Sequence, residues 1–177
     1  MAPFSSSGFY STKMAERPVD PFAMEIWKNA ATPRCKHFLW LVHHHRLPSA
    51  ALLHHRCILD SPLCAYYSAT EDQDHLLLRC PRARRVWRMI GWETAPFLQM
   101  FRDLWQMPEL PDGDPRARSA VVTAILWNIW KCRNAFVFRG VANTADTVIK
   151  EDLTLWTSRL PQHATAAIME FCNSTVT

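Results

Sequence analysis

Three side chains of metal-ligating type crowd into one short stretch. They are Cys64, His75 and Cys80, with Tyr67 between the first two, in the spacing C-x-x-Y-(x7)-H-(x4)-C. Zinc takes four tetrahedral ligands, commonly two from a tight turn and two from a second element, and a C-x-x-C turn followed by H-x-x-x-x-C would supply such a set. Here Tyr67 stands where the second turn ligand would be. A phenol with a pKa near 10 must lose its proton before it can bind zinc, so three protein ligands remain. The fourth place falls to water or to a neighbour such as His54, His55 or Cys57. On an uninterrupted α-helix five residues turn through about 140°, so His75 and Cys80 converge only if the helix ends between them. The Cys80-Pro81 pair predicts that break, because a proline disfavours helical torsions in the residue before it. At the start of the next helix the dipole would favour the Cys80 thiolate, the form a metal binds. The alternative is an empty knuckle in which the same residues are simply packed.

A second concentration is basic. Arg79, Arg82, Arg84, Arg85 and Arg88 fall within ten residues. Arg82, Arg85 and Arg88 recur at three-residue spacing along one flank of a helix, an arrangement suited to phosphates, with Trp87 near enough to stack on a base. The alternative is a solvated helix face with Trp87 in the core. A third group is His43, His44 and His45, followed by His54 and His55. Successive helical residues project about 100° apart and cannot share one ion, so these histidines read as polar residues around a helix end.

The elements that must position these groups are helical. Behind Pro33, the residues Cys35, Phe38, Leu39 and Val42 form one apolar stripe, which Pro48 stops. Ser49 caps a short second helix carrying Leu52 and Leu53. From Cys57 to Thr70 the helical period is lost. Thr70-Glu71-Asp72-Gln73 then has the form of a capping box, with Thr70 as the cap, ahead of a short helix through Arg79. Pro81 opens another helix with Val86, Met89 and Ile90 as its buried face. Thr94 to Trp105 reads as one more helix, and Pro108 to Pro115 as a proline-rich acidic loop. Asp114 caps the longest helix, on which Val122, Ile125, Leu126, Ile129, Arg133 and Phe136 recur at helical spacing before Gly140. Ile149, Leu153, Trp156 and Leu160 define a last one. No segment alternates as a strand should, so the expected class is all-α: an irregular bundle of short and long helices around a degenerate CCHC-like zinc knuckle, with little or no sheet.

With 177 residues and 49% hydrophobic content the chain can bury a core of its own, as one domain without staples. The expected organisation is a mobile leader over residues 1–20, a domain over 21–160 with the knuckle at 57–80, and a tail over 161–177. A formal charge of +4 is too small to nominate nucleic acid by itself; only the local arginines do so. No apolar run approaches the ~20 residues of a membrane helix, and the Ser-rich start lacks the pattern of a secretory signal. A soluble, intracellular protein, nuclear or cytoplasmic, with reduced cysteines is expected.

The stretch Ser61–Trp87, S-P-L-C-A-Y-Y-S-A-T-E-D-Q-D-H-L-L-L-R-C-P-R-A-R-R-V-W, resembles the zinc-binding domain that follows the reverse transcriptase in plant LINE-type, non-LTR retrotransposon polyproteins. Ile26-Trp27-Lys28, Arg34 through Leu41 and Arg46-Leu47-Pro48 resemble that family's upstream helices, and Leu126-Trp127-Asn128-Ile129-Trp130-Lys131-Cys132-Arg133-Asn134 its downstream helix. The resemblance spans about residues 5 to 160. It implies zinc as the cofactor, Cys64, His75 and Cys80 as ligands with Tyr67 at the lost fourth position, and RNA or DNA as a partner through Arg82, Arg84, Arg85 and Arg88. Membranes and small-molecule substrates are not implied.

Enzymatic signatures are missing. A reverse transcriptase needs paired aspartates at a strand turn to hold two metal ions, and a ribonuclease H needs a carboxylate cluster on a sheet; the chain has no Asp-Asp pair, and Asp112, Asp114, Glu151 and Asp152 fall in a loop and a helix. There is no G-x-x-x-x-G-K, G-x-S-x-G or H-E-x-x-H. The expectation is a non-enzymatic zinc-knuckle domain that binds nucleic acid. The alternative is a degenerate retroelement relic with an empty knuckle, acting as a helical protein-interaction module or without biochemical role.

Overall fold

The computed structural model describes residues 5–174 apart from 16, 19, 109, 111–113 and 142–145. It is mostly helical, with α1 (Ser6–Ala15), α2 (Ala23–Trp27), α3 (Pro33–His43), α4 (Ala50–His55), α5 (Pro81–Met89), α6 (Pro115–Arg139), α7 (Asp146–Thr157) and α8 (Gln162–Ser174). The expected all-α class holds. The sheet is a hairpin of two short strands, β1 (Leu63–Cys64) and β2 (Tyr67–Thr70), paired antiparallel through Cys64 with Tyr67 and Leu63 with Thr70.

Local signals explain most of the boundaries. Proline at the first turn opens α3, α5 and α6, where its missing N–H is no loss. The Ser49 hydroxyl accepts from the Leu52 amide at the start of α4, and the Asp114 carboxylate accepts from the Arg116 amide at the start of α6. Gly140 ends α6 in the left-handed conformation (φ 67°) that glycine adopts without steric cost. Helix α6 is the central rod: Val121, Val122, Ile125 and Leu126 are completely buried, and α2, α3, α7 and α8 pack around it.

Several expectations change. The leader carries α1, an exposed helix with no buried residue, and Asp20 at its end pairs with the buried His43 of α3. Residues 1–4, 16 and 19 of that leader, 175–177 of the tail and 109 and 111–113 of the proline-rich loop lie outside the described residues. The supposed tail contains α8, whose Ala164, Ile168, Phe171 and Cys172 are buried, with Phe171 edge-on to Trp92 at 6.1 Å. Alanine-rich spacing had concealed that apolar face. The single helix expected over Thr94 to Trp105 is two short 3-10 turns, Ala95–Phe97 and Phe101–Gln106, separated where Leu98 and Met100 are extended. On α5 the buried side chains are Ala83 and Trp87, while Val86 is half-buried and Met89 exposed.

The capping box at Thr70 does not form. Thr70 belongs to β2, and the cap is Asp72, whose carboxylate accepts from the His75 amide at 2.6 Å. The Gln73 side chain instead donates to the Val42 carbonyl at 2.9 Å, tying the knuckle to the end of α3.

Candidate metal centre

The hairpin and the turn that follows it bring the three ligand-type residues together. Cys64 ends β1, and the Tyr66 amide points back at its sulfur at 3.5 Å. His75 begins a single π-helical turn, His75–Arg79, closed by the Cys80 amide donating to the His75 carbonyl at 2.6 Å. An i→i+5 turn is wider than an α-turn, so the fifth residue returns near the first instead of 140° away. The expected break at Cys80-Pro81 is present, with Cys80 extended (ψ 138°), but the widened turn contributes to convergence as well. Leu76, Leu77 and Leu78 of this turn are buried and anchor it against α5 and α6.

All three donor atoms lie within 4.8 Å of one another, and all three residues are buried. The sulfurs of Cys64 and Cys80 are 3.8 Å apart. Two thiolates on one tetrahedral zinc, each with a bond of about 2.3 Å, would be separated by about 3.75 Å. The His75 Nε2 is buried and has no hydrogen-bond partner among the described residues. A buried imidazole nitrogen left unpaired costs about 1–3 kcal/mol, which a metal bond would relieve. The donor set therefore fits zinc in its chemistry and spacing.

Electrostatics set the terms of binding. Burial pulls the His75 imidazole below its ordinary value and so favours the neutral, ligating form. Burial pushes the Cys80 thiol up to about 11, with the Cys64 sulfur beside it adding to the rise. The amides of Arg82 and Ala83 at the start of α5 pull the other way but do not prevail. The expected dipole-favoured thiolate is thus overruled by desolvation, and a cation in the site would have to displace the proton itself.

Tyr67 is 61% exposed and does not fill the fourth position. His54, His55 and Cys57 are exposed on α4 and the turn after it, and none joins the cluster. Among the described residues no fourth His, Cys, Asp or Glu joins the cluster. Tyr66, not singled out from the sequence, is the half-buried aromatic of the hairpin: it stacks on Phe136 at 4.2 Å between centroids, with the Arg82 guanidinium 4.3 Å from its ring.

A second buried polar cluster adjoins the knuckle. Glu71 and Arg133 form an ion pair in which both side chains are buried, and a second contact from Arg133 Nε measures 3.2 Å. The Glu71 carboxylate also accepts from the Ala50 amide at 2.8 Å, and its backbone carbonyl accepts from the Ala51 amide at 3.0 Å, so it holds the start of α4. The sequence signal for this pair is Arg133 itself, a charge on an apolar stripe, which is rarely buried without a partner.

The arginines of α5 divide by position. Arg82 is half-buried over Tyr66 and Phe136, whereas Arg84, Arg85 and Arg88 are exposed, and none of these three forms an ion pair with a carboxylate among the described residues; Arg79, also exposed, ends the π turn ahead of the helix. Trp87 is fully buried, stacked on Trp92, with its indole N–H donating to the Leu77 carbonyl at 3.0 Å. It cannot stack on a base. Of the histidines, His43 is buried between Asp20 and Arg102 and stacked on Phe22, so it is a packed residue.

Among the described residues no helix is long and apolar enough to cross a membrane. No curated protein and no solved structure shows significant similarity to the chain. A family model described as zinc-binding in reverse transcriptase matches residues 4–87. The match ends within α5, short of residue 160, to which the resemblance of sequence words extends, and it contains Cys64, His75 and Cys80 but not Arg133. Over residues 4–87, then, the chain is similar to the zinc-binding domain associated with reverse transcriptases, and that similarity and the Cys-His-Cys cluster both point to zinc.

Proposed function

We propose that the protein is a non-enzymatic zinc-knuckle domain, derived from a plant LINE-type reverse transcriptase polyprotein, that holds one zinc ion through Cys64, His75 and Cys80 and binds RNA or DNA across α5. The observation that carries the metal half is the convergence of two sulfurs at tetrahedral spacing with an imidazole nitrogen that has no hydrogen-bond partner among the described residues. Bound there, zinc would supply a structural cross-link between the hairpin and the start of α5. The protein's own residues do the rest: the Tyr66 amide supports the Cys64 sulfur, and Asp72 fixes the turn that carries His75. Exposed arginines without acidic partners support the nucleic-acid half.

A second reading, an empty knuckle in a helical relic or interaction module, is favoured by the outward Tyr67, which leaves three ligand-type residues in the cluster. Elemental analysis of the purified chain separates the two. The first reading expects zinc that is lost in His75→Ala; equal, negligible zinc in both proteins decides for the second. Nucleic-acid binding should weaken with salt, and the slope should flatten by roughly 0.7 for each phosphate-binding arginine removed among Arg84, Arg85 and Arg88.

A further inference from the structure

Burial of Trp87 leaves the arginine face of α5 without the aromatic partner that its sequence suggests. The fold supplies another. The 3-10 turn Ala95–Phe97 packs beside α5, with Ala95 and Pro96 buried. Three residues per turn then direct the third outward. Phe97 is 74% exposed, more than any other large hydrophobic residue among those described. The Arg84 guanidinium lies over its ring, 5.9 Å from the centroid, near the outer limit of a cation–π contact.

We propose that Phe97 is a base-stacking platform for single-stranded nucleic acid, with Arg84, Arg85 and Arg88 taking the adjacent phosphates. This rests on the reading of α5 as a nucleic-acid surface and adds to it the strandedness of the ligand and the residue that senses it. On the exposed half of α5, Arg84 projects nearest the Phe97 side, followed around the helix by Arg88, Arg85 and Arg82 at steps of about 40–60°. The last of these is already packed on Tyr66 and Phe136. Phosphates held by Arg85 and Arg88 would leave an unpaired base free to reach the ring beside Arg84. Stacking needs an open base face, which a duplex interior does not offer, whereas arginine–phosphate contacts serve either form. An isolated exposed phenylalanine is ordinary on a protein surface. One that abuts a run of unpaired arginines has the two components that single-strand binders combine: a cationic track and an aromatic ring.

The test is fluorescence anisotropy of the full chain with labelled oligouridine and with an RNA duplex of the same length, at low and moderate salt. Phe97→Ala should weaken oligouridine binding about tenfold, leave duplex binding unchanged and leave the salt slope unaltered, and Phe97→Tyr should bind as the parent does. Arg85→Ala with Arg88→Ala should weaken both ligands and flatten the slope. Because Phe97 is exposed, its variants should melt with the parent, and a thermal melt verifies this. If Phe97→Ala binds oligouridine like the parent while the arginine variant loses affinity, the stacking platform is refuted and the nucleic-acid surface stands. Equal loss on both ligands also refutes stacking. If the parent binds neither ligand, the nucleic-acid reading falls and the platform with it.

Discussion

Two buried polar clusters sit side by side around the knuckle, one closed and one open. In the closed one, the Glu71 carboxylate meets Arg133 and the Ala50 amide, so the charge is paired and its oxygens are engaged. In the open one, two sulfurs and an imidazole face each other, and the His75 Nε2 has no hydrogen-bond partner among the described residues. The closed cluster is complete with protein atoms and joins residues 62 positions apart in the chain. The open cluster leaves the His75 Nε2 unpaired among the described residues. The contrast separates two tasks: the Glu71–Arg133 pair and the apolar core around α6 hold the helices, while a metal at the Cys-His-Cys cluster would have only the hairpin and the π turn to fasten.

The largest effect should come from opening the closed cluster. Glu71→Ala leaves Arg133 charged and buried, and removing one partner of such a pair costs about 3–5 kcal/mol. Thermal and urea melts should show a loss of that size, with or without a zinc chelator. A melt within error of the parent would mean that the pair is not what holds α4 and α6 together.

Closing the open cluster should have the next largest effect. Tyr67→Cys supplies a fourth ligand, as a third thiol, at the hairpin position paired with Cys64. Zinc content should rise to about one ion per chain. At a hundredfold excess of free zinc over its dissociation constant, linkage adds about 2.7 kcal/mol. The melting temperature should rise with zinc and fall back with chelator. A variant that takes up no zinc would show that the cluster is closed to metal whatever its fourth ligand.

A smaller effect belongs to the half-exposed pair of Asp20 and His43, intermediate between the two clusters. The hydrogen bond from His43 holds the Asp20 carboxyl below its ordinary 3.8. A depressed carboxyl pKa contributes stability that is present above the unfolded value and is lost as the pH falls through the folded one. The parent should therefore melt slightly above Asp20→Asn at about pH 6, and the gap should close toward about pH 2. A gap that persists in acid would show that the effect does not come from the charge of the carboxylate.

The sequence and the structure part company in a physically consistent way. The starts of α3, α5 and α6 and the end of α6 were legible because a proline, an aspartate cap and a glycine act within a few residues of themselves. The ligand residues were legible by type. The cap at Asp72 was missed because the capping-box spacing from Thr70 to Gln73 is a local match that cannot show Thr70 pairing in a strand instead. The sequence left Trp87 two places, beside the arginines or in the core, and the structure takes the second, turning it toward Leu77 and Trp92. Helix α8 was missed because alanine and threonine give its face little apolar contrast.

By itself the sequence determined an all-α chain, the positions of its principal helices, a Cys-His-Cys set with a tyrosine among its members, and a run of arginines on one short helix. Each of these depends on residue type or on interactions within about one helical turn. The tertiary structure alone decided that the turn after Asp72 is wide enough to return Cys80 to His75. It also decided that Glu71 meets Arg133 across 62 residues and that the ring beside the arginines is Phe97 and not Trp87. Those outcomes depend on which surfaces the packing of α5 and α6 removes from water, and no local spacing encodes that.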